Sequence, residues 1–126
     1  MRSVKRSVWS VVTMVIVGVA GIEAAPAAGA LAIGTCGSYG QTFDFKTTAN
    51  AQRSAMERCK QDGCRIVATL YKTCAALAVD AANPCGAHGS GKASRLGAAQ
   101  NDALRACYRD GGKDCVIRTF VCDGQG

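Results

Sequence analysis

The sequence predicts an α+β fold in which two pseudo-repeated strand-strand-helix-strand units fuse into one disulfide-rich domain, with helices packed on a mainly antiparallel sheet. Two observations carry this prediction. First, the second half of the chain repeats the first: Ala51-Gln52, Ala55, Cys59 and Asp62-Gly63 recur as Ala99-Gln100, Ala103, Cys107 and Asp110-Gly111, each displaced by 48. Second, the eight cysteines sort into two sets of four, Cys36, Cys59, Cys64 and Cys74 answering to Cys85, Cys107, Cys115 and Cys122. Within each half the hydrophobic period changes from two to about 3.6 and back, which orders the elements.

The chain opens with Arg2, Lys5 and Arg6 and no acid before Val8. An apolar run over residues 8–22 follows, broken only by Ser10, Thr13, Gly18 and Gly21, and then the small residues 24–30. A basic start, a short apolar segment and an Ala-x-Ala motif are the parts of a secretory signal peptide. Ala25-Pro26-Ala27 and Ala28-Gly29-Ala30 both satisfy the cleavage rule, so the signal peptide is residues 1–27, with cleavage after Ala30 as the alternative. The run is shorter than the roughly 20 residues that a membrane span needs. The remainder, residues 28–126, is read as one domain with repeats at about 29–74 and 75–122, without stable membrane insertion and secreted or periplasmic.

Residues 31–33 form a short apolar strand candidate, and the Gly- and Ser-rich stretch 34–40 a turn. Residues 41–45 alternate as a half-buried strand does. Thr47 or Thr48 caps the next helix by accepting a hydrogen bond from an orphan N–H. Ala51, Ala55, Met56 and Cys59 make its apolar stripe, and Gly63 ends the segment, since glycine adopts the left-handed conformation without penalty. Residues 64–71 read as the best strand. The second half runs through Leu77-Ala78-Val79, a turn at Asn83-Pro84, an irregular glycine-rich loop, a helix with Ala99, Ala103, Leu104 and Cys107 inward, and a final strand over 116–121. Neither unit carries enough apolar surface to stand alone, so one fused core is expected.

An even cysteine count in an exported small domain reads as a disulfide framework. Cys59 closes a helix and Cys64 opens the next strand, with Asp62-Gly63 reversing the chain between them; Cys107 and Cys115 are the same pair with a longer loop. The pairs 59 with 64 and 107 with 115 follow from that layout. For the other four, symmetry favours 36 with 85 and 74 with 122. Pairing within each unit, 36 with 74 and 85 with 122, is the alternative.

No cofactor, metal or catalytic residue is predicted. Gly86-Ala87-His88-Gly89-Ser90-Gly91-Lys92 matches seven positions of a phosphate-binding loop, but Ala93 stands where the magnesium-binding hydroxyl belongs. The stretch is read as a flexible glycine loop. His88 is the lone histidine and has no carboxylate or serine at a suggestive spacing. Cys59-x₄-Cys64 has a zinc-like spacing and Cys107-x₇-Cys115 does not. Without residues 1–27 the chain keeps twelve basic and eight acidic residues, a net charge of +4, with no basic cluster. That balance favours solubility and weak attraction to anionic surfaces, and gives no nucleic-acid footprint.

Gly29-Ala30-Leu31-Ala32-Ile33-Gly34, Ser38-Tyr39-Gly40, the helix bearing Ala51, Ala55 and Cys59, Cys64-Arg65-Ile66-Val67 and Cys74-Ala75-Ala76-Leu77-Ala78-Val79 together resemble the bacterial secreted proteins of domain-of-unknown-function family 4189 (DUF4189). The resemblance runs from about Gly29 to Cys122. It implies a small exported α+β domain and supplies no catalytic residues. Cys36 and Cys85 look like additions to the family pattern, and two additions at equivalent positions are explained most simply by pairing with each other. The aromatic residues that the family pattern places in the second glycine-rich segment are absent here. The functional expectation is a non-enzymatic module that binds a protein or an envelope component. A secreted inhibitor or effector acting through residues 34–40 and 83–92 is the alternative, and a small hydrolase ranks third.

Overall fold

The computed structural model describes residues 27–124; all but the last residue of the predicted signal peptide lies outside them. The elements are β1 (Ala28–Ile33), a 3₁₀ turn (Thr35–Gly37), β2 (Tyr39–Phe45), α1 (Thr48–Cys59), β3 (Arg65–Leu70), β4 (Cys74–Asp80), β5 (His88–Ala93), α2 (Leu96–Arg109) and β6 (Cys115–Cys122). The fold is α+β. Its antiparallel strands fall into two three-stranded sheets, β2-β1-β3 and β5-β4-β6, with the first strand of each unit at the centre.

Side-chain alternation on the two central strands builds four layers. Leu31 and Ile33 of β1 join Ala68, Leu70, Ala75, Leu77, Val79 and Val121 in one cluster, drawn from both sheets and from neither helix. The opposite face of β1, Ala28, Ala30 and Ala32, packs on Ala51, Ala55 and Cys59 of α1. Cys74, Ala76 and Ala78 of β4 pack in the same way on Ala99, Ala103 and Cys107 of α2. The order is therefore α1, first sheet, second sheet, α2. Since β1 and β4 are covered on both faces, they read as continuous apolar runs rather than alternating ones.

The helices lie close to their sheets because small residues face each other. A β-carbon at Gly40 would fall against the backbone of Ala55 and Cys59, and one at Gly89 against that of Ala103 and Cys107. The two glycines are equivalent: Gly40 pairs with Ala32 and Gly89 with Ala78. At the next inward position the units differ. Gly91 has its α-carbon against the backbone of Ala99 and Ala103, whereas Thr42 replaces that contact with a buried hydroxyl that donates to Ala51 O at 2.9 Å and accepts from Ala30 N at 3.1 Å. Both units also interrupt their outer pairing at the same place, between Leu31 and Ala32 and between Leu77 and Ala78.

Several sequence expectations are corrected. Gly86 to Lys92 is not a flexible glycine loop throughout: His88–Ala93 forms β5, where Gly89 and Gly91 give the helix room. Cys74 belongs to the second unit, opening β4 directly opposite Cys122 on β6, so these two are cross-strand partners and not equivalents of each other. By register, Cys74 corresponds to Ala28, the first residue of β1. Met56, assigned to the apolar stripe of α1, is exposed, because the stripe runs straight through Ala51, Ala55 and Cys59. Thr47 is the residue that caps α1, accepting from Asn50 N at 3.2 Å, and Lys60 rather than Gly63 takes the left-handed position directly after the helix.

The close approach has a measurable consequence. Gly40→Ala and Gly89→Ala force a methyl group into helix backbone and are expected to lower unfolding free energy by about 1–3 kcal/mol each. Gly97→Ala, on α2 with open space around it, should be neutral or stabilising by up to about 1 kcal/mol. Denaturant titration of the three variants tests this, and equal effects at Gly89 and Gly97 would contradict the packing described.

Candidate functional site

The second sheet meets the first at one end through a cleft of about 330 Å³. Thr35, Cys36 and Arg65 line it from the first unit, and Pro84, Cys85 and His88 from the second. Its residues are brought together by the disulfide between Cys36 and Cys85, two exposed cysteines 49 positions apart. The turn bearing Cys36 is unusual: Cys36 (φ 55°) and Gly37 (φ 74°) are both left-handed. A non-glycine residue in that region costs of order 1–3 kcal/mol and needs anchoring. Here the anchors are the disulfide and Arg118 of β6, whose Nε donates to Gly37 O at 3.3 Å while its guanidinium lies 5.6 Å from the Tyr39 ring centroid.

The opposite wall hangs on Asp80, the buried last residue of β4. Its Oδ1 accepts from Ala82 N at 3.0 Å and its Oδ2 from Lys113 N at 3.2 Å. The backbone continues the stitching, with Asp80 N donating to Ala87 O and Ala81 N to Asp114 O. The Lys113 N–H, followed by that of Ala82, holds the Asp80 carboxyl below its ordinary pKa. This carboxylate thus fixes the segment that carries Pro84 and Cys85.

His88 stands at the start of β5, and the structure gives it the companion that its sequence neighbourhood lacks. Asp110, the residue after α2, places Oδ2 3.1 Å from His88 N and 4.0 Å from His88 Nδ1. Both side chains are about half exposed, 44% and 54%. A side-chain contact this open to water contributes at most about 1 kcal/mol. The same carboxylate oxygen satisfies the first N–H of an edge strand, so Asp110 joins the end of α2 to β5. No local pattern announces a partner 22 residues away; only the fold brings them together.

The remaining cysteines are joined as Cys59 to Cys64, Cys107 to Cys115 and Cys74 to Cys122. The two helix-to-strand bridges are near copies, with Cα separations of 6.3 and 6.2 Å. Cys59, Cys74, Cys107 and Cys115 are buried, in contrast to the pair at the cleft. No group of three or more His, Cys, Asp and Glu side chains is placed to hold a metal ion among the described residues. Nor is any helix among them long and apolar enough to cross a membrane.

Fold and site together define a small, disulfide-rich α+β domain built from two similar units. Residues 28–122 match the family described as "Domain of unknown function (DUF4189)", and the chain belongs to that family. Among curated proteins it is similar to protein Rv1269c of Mycobacterium tuberculosis and to protein Mb1300c of Mycobacterium bovis, each 33% identical over 82 residues, 65% of this chain. The chain spans about 62% of the length of these relatives. Among solved structures, Rv1813c from M. tuberculosis, determined by NMR, matches with a TM-score of 0.55 at 21% identity over 97% of each chain, a likeness of fold.

The hydrogen bonds to Asp80 set a pH signature. A carboxylate whose pKa is lowered by folding contributes stability above its unfolded value, about 3.9, and loses that contribution as pH falls through the folded value. The melting temperature should therefore decline below about pH 4. Asp80→Asn should lower it at neutral pH and flatten the acid decline; an unchanged profile would remove Asp80 from the loop-fixing role.

Proposed function

We propose that the protein is exported, processed and disulfide-stapled, and acts as a non-enzymatic module that binds a protein or an envelope component through the cleft between its two units. The observation that carries this reading is the construction of the cleft. Its walls come from both units, and they are held by a covalent bridge, a fixed carboxylate and an arginine stacked on tyrosine. That is a preorganised concave surface, which lowers the ordering cost of association. Arg65 and His88 give it donors and partial positive character, suited to carbonyl or carboxylate groups of a partner. A secreted inhibitor or effector is a special case of the same surface with an enzyme as its partner.

Export is supported by four disulfides, which persist in oxidising compartments. Of the two cleavage positions, the one after Ala27 fits the fold. Cleavage after Ala30 would remove Ala28, Gly29 and Ala30, half of the central strand β1, where Ala28 and Ala30 are buried and pair with Phe45 and Thr42.

The hydrolytic reading gains one observation, the approach of Asp110 to His88 in the cleft wall. The exposure of both groups and the structural use of Asp110 weigh against it, since a general base works best oriented and shielded from bulk water. Three experiments decide. Intact mass of the exported protein should show a chain beginning at Ala28 and eight hydrogens lighter than its reduced form; free thiols or a retained leader would overturn the export reading. Arg65→Glu should weaken capture of a partner from the organism's own envelope fraction at least tenfold without changing the melting temperature. A hydrolysis that His88→Ala abolishes while the fold persists would instead make the protein an enzyme.

A further inference from the structure

At the end of the molecule opposite the cleft lies a carboxylate with one side unused. Asp123, directly after β6, is 1% exposed. Its Oδ1 accepts the Asp44 N–H at 3.1 Å, and its own N–H donates to Thr73 O at 2.9 Å. Its Oδ2 is buried and has no hydrogen-bond partner among the described residues. A buried polar group left unmade is destabilising, and a buried carboxylate more so than a neutral group. The nearby lysine does not meet the need: Lys72 packs beside Gly124, but its ammonium lies over the Tyr71 ring, 5.5 Å from the centroid.

One contact and two features of the strand register place the start of β1 near this carboxylate. The α-carbon of Gly29 faces Asp123, since a β-carbon there would be 3.3 Å from Asp123 Cβ. Asp44, which donates to Oδ1, is the chain neighbour of Phe45, and Phe45 is the register partner of Ala28. Pairing between β1 and β2 is interrupted between Ala28 and Ala30, opposite Asp44. Asp44 itself is left-handed (φ 61°), which turns its N–H out of the regular ladder. The arrangement therefore puts the unpartnered carboxylate oxygen at the start of β1, beside Gly29 and next to the β2 segment that pairs with Ala28.

Resting on the reading that the leader is removed after Ala27, we propose that Asp123 is a built-in binding site for the new α-ammonium group of Ala28. Before cleavage the Ala28 nitrogen is a neutral amide with a single donor. Cleavage of the Ala27–Ala28 peptide bond by water leaves a carboxylate on the leader and an ammonium with three donors on Ala28. That ammonium supplies the charge and the donor that Oδ2 lacks. Processing then completes the core at this end and fixes the first strand, the one on which both β2 and β3 are hydrogen-bonded. A β-carbon at Gly29 would fall 2.5 Å from the Thr42 carbonyl oxygen and then 3.3 Å from Asp123 Cβ, so the β2 backbone first and the carboxylate second require glycine at this buried strand position.

The test uses the protein exported with its own leader, and a variant with one serine inserted between Ala27 and Ala28, so that the mature chain carries its ammonium one residue farther out. Intact mass first establishes the N-terminus of each. A natural chain that begins at Leu31, or keeps its leader, removes the processing reading and the proposal with it. With the N-terminus at Ala28, the insertion should lower the melting temperature by about 4–8 °C, and in an Asp123→Asn background it should lower it by no more than about 1 °C. Equal melting temperatures with and without the serine, Asp123 being present, would overturn the ion pair while leaving the processing reading intact. A second readout does not depend on the Asp123→Asn chain folding. The α-amine of the natural mature chain should react at least fivefold more slowly at neutral pH with an amine-specific acylating reagent than that of the serine-extended chain, and equal rates would again overturn the pair.

Discussion

The face-to-face contact of the two three-stranded sheets is the constraint on which the rest of the molecule depends. A three-stranded sheet with one helix leaves its second face bare, and among the described residues the cover for that face is the other unit. Leu31, Leu70 and Leu77 are the largest apolar side chains fully enclosed. Each contributes about 1.5–3 kcal/mol on burial, a small apolar core for a domain of roughly a hundred residues. In the helix layers the buried residues are alanine and cysteine, and the larger apolar side chains, Phe45, Ile66, Leu96, Leu104 and Ile117, are only partly buried. The cross-links add to this by constraining the unfolded chain, and their placement matters. Bridges that close loops of five and eight residues are worth about 2–2.5 kcal/mol each on the chain-entropy estimate, whereas Cys36 to Cys85 and Cys74 to Cys122 close loops of nearly fifty and are worth about 4 kcal/mol each. The two long closures sit at opposite ends: Cys36 to Cys85 joins the two units across the sandwich, whereas Cys74 to Cys122 ties β4 to β6 within the second sheet.

Much of this was legible in residue patterns. The 48-residue displacement of the helix block gave two equivalent helices, because a stripe of Ala, Ala and Cys at four-residue spacing has one meaning wherever it occurs. Period-two alternation gave β2, and the Cys-Asp-Gly reversals gave the turns that lead into β3 and β6. What stayed hidden has physical causes. The glycines of β5 look like a loop because a strand pressed against helix backbone needs glycine, and local propensity penalises the residue that tertiary packing demands. The assignment of Cys74 to the first unit followed from counting cysteines by order, while the register of β4 on β6 is a matter of pairing that order does not encode. Division of the strands into two sheets depends on which faces meet, and β1 and β4, apolar on both faces, give no sign of it.

The cleft was legible only in part. Residues 34–40 and 83–92 stood out as exposed glycine-rich segments, and both contribute to it. Arg118 and Asp80 did not stand out, because each acts on backbone groups and not through a motif, and Arg65 enters the cleft only by its place on β3. Asp110 stood out only as part of the repeated helix block, and its approach to His88 arises from the packing of α2 on β5. A site of this kind is assembled by topology from residues that are individually ordinary.

The two units are most informative where they stop being copies. Thr42 against Gly91, Asp80 against Gly34, and Asp123 against Lys72 are equivalent positions by register with different chemistry. Structural duplication alone supplies no reason for those differences; each needs a local one. Thr42 satisfies the Ala30 N–H that the interrupted ladder at the start of β1 leaves free. Asp80 binds the longer connection that leads to Cys85, a connection that Gly34 does not have to span. Asp123 lies where the chain enters the first sheet, beside the single strand end whose nitrogen changes charge if the leader is removed. In the second unit the corresponding strand start is Cys74, tied covalently to Cys122. One unit thus fastens the beginning of its central strand with a disulfide, and the other meets the same mechanical requirement with a buried carboxylate.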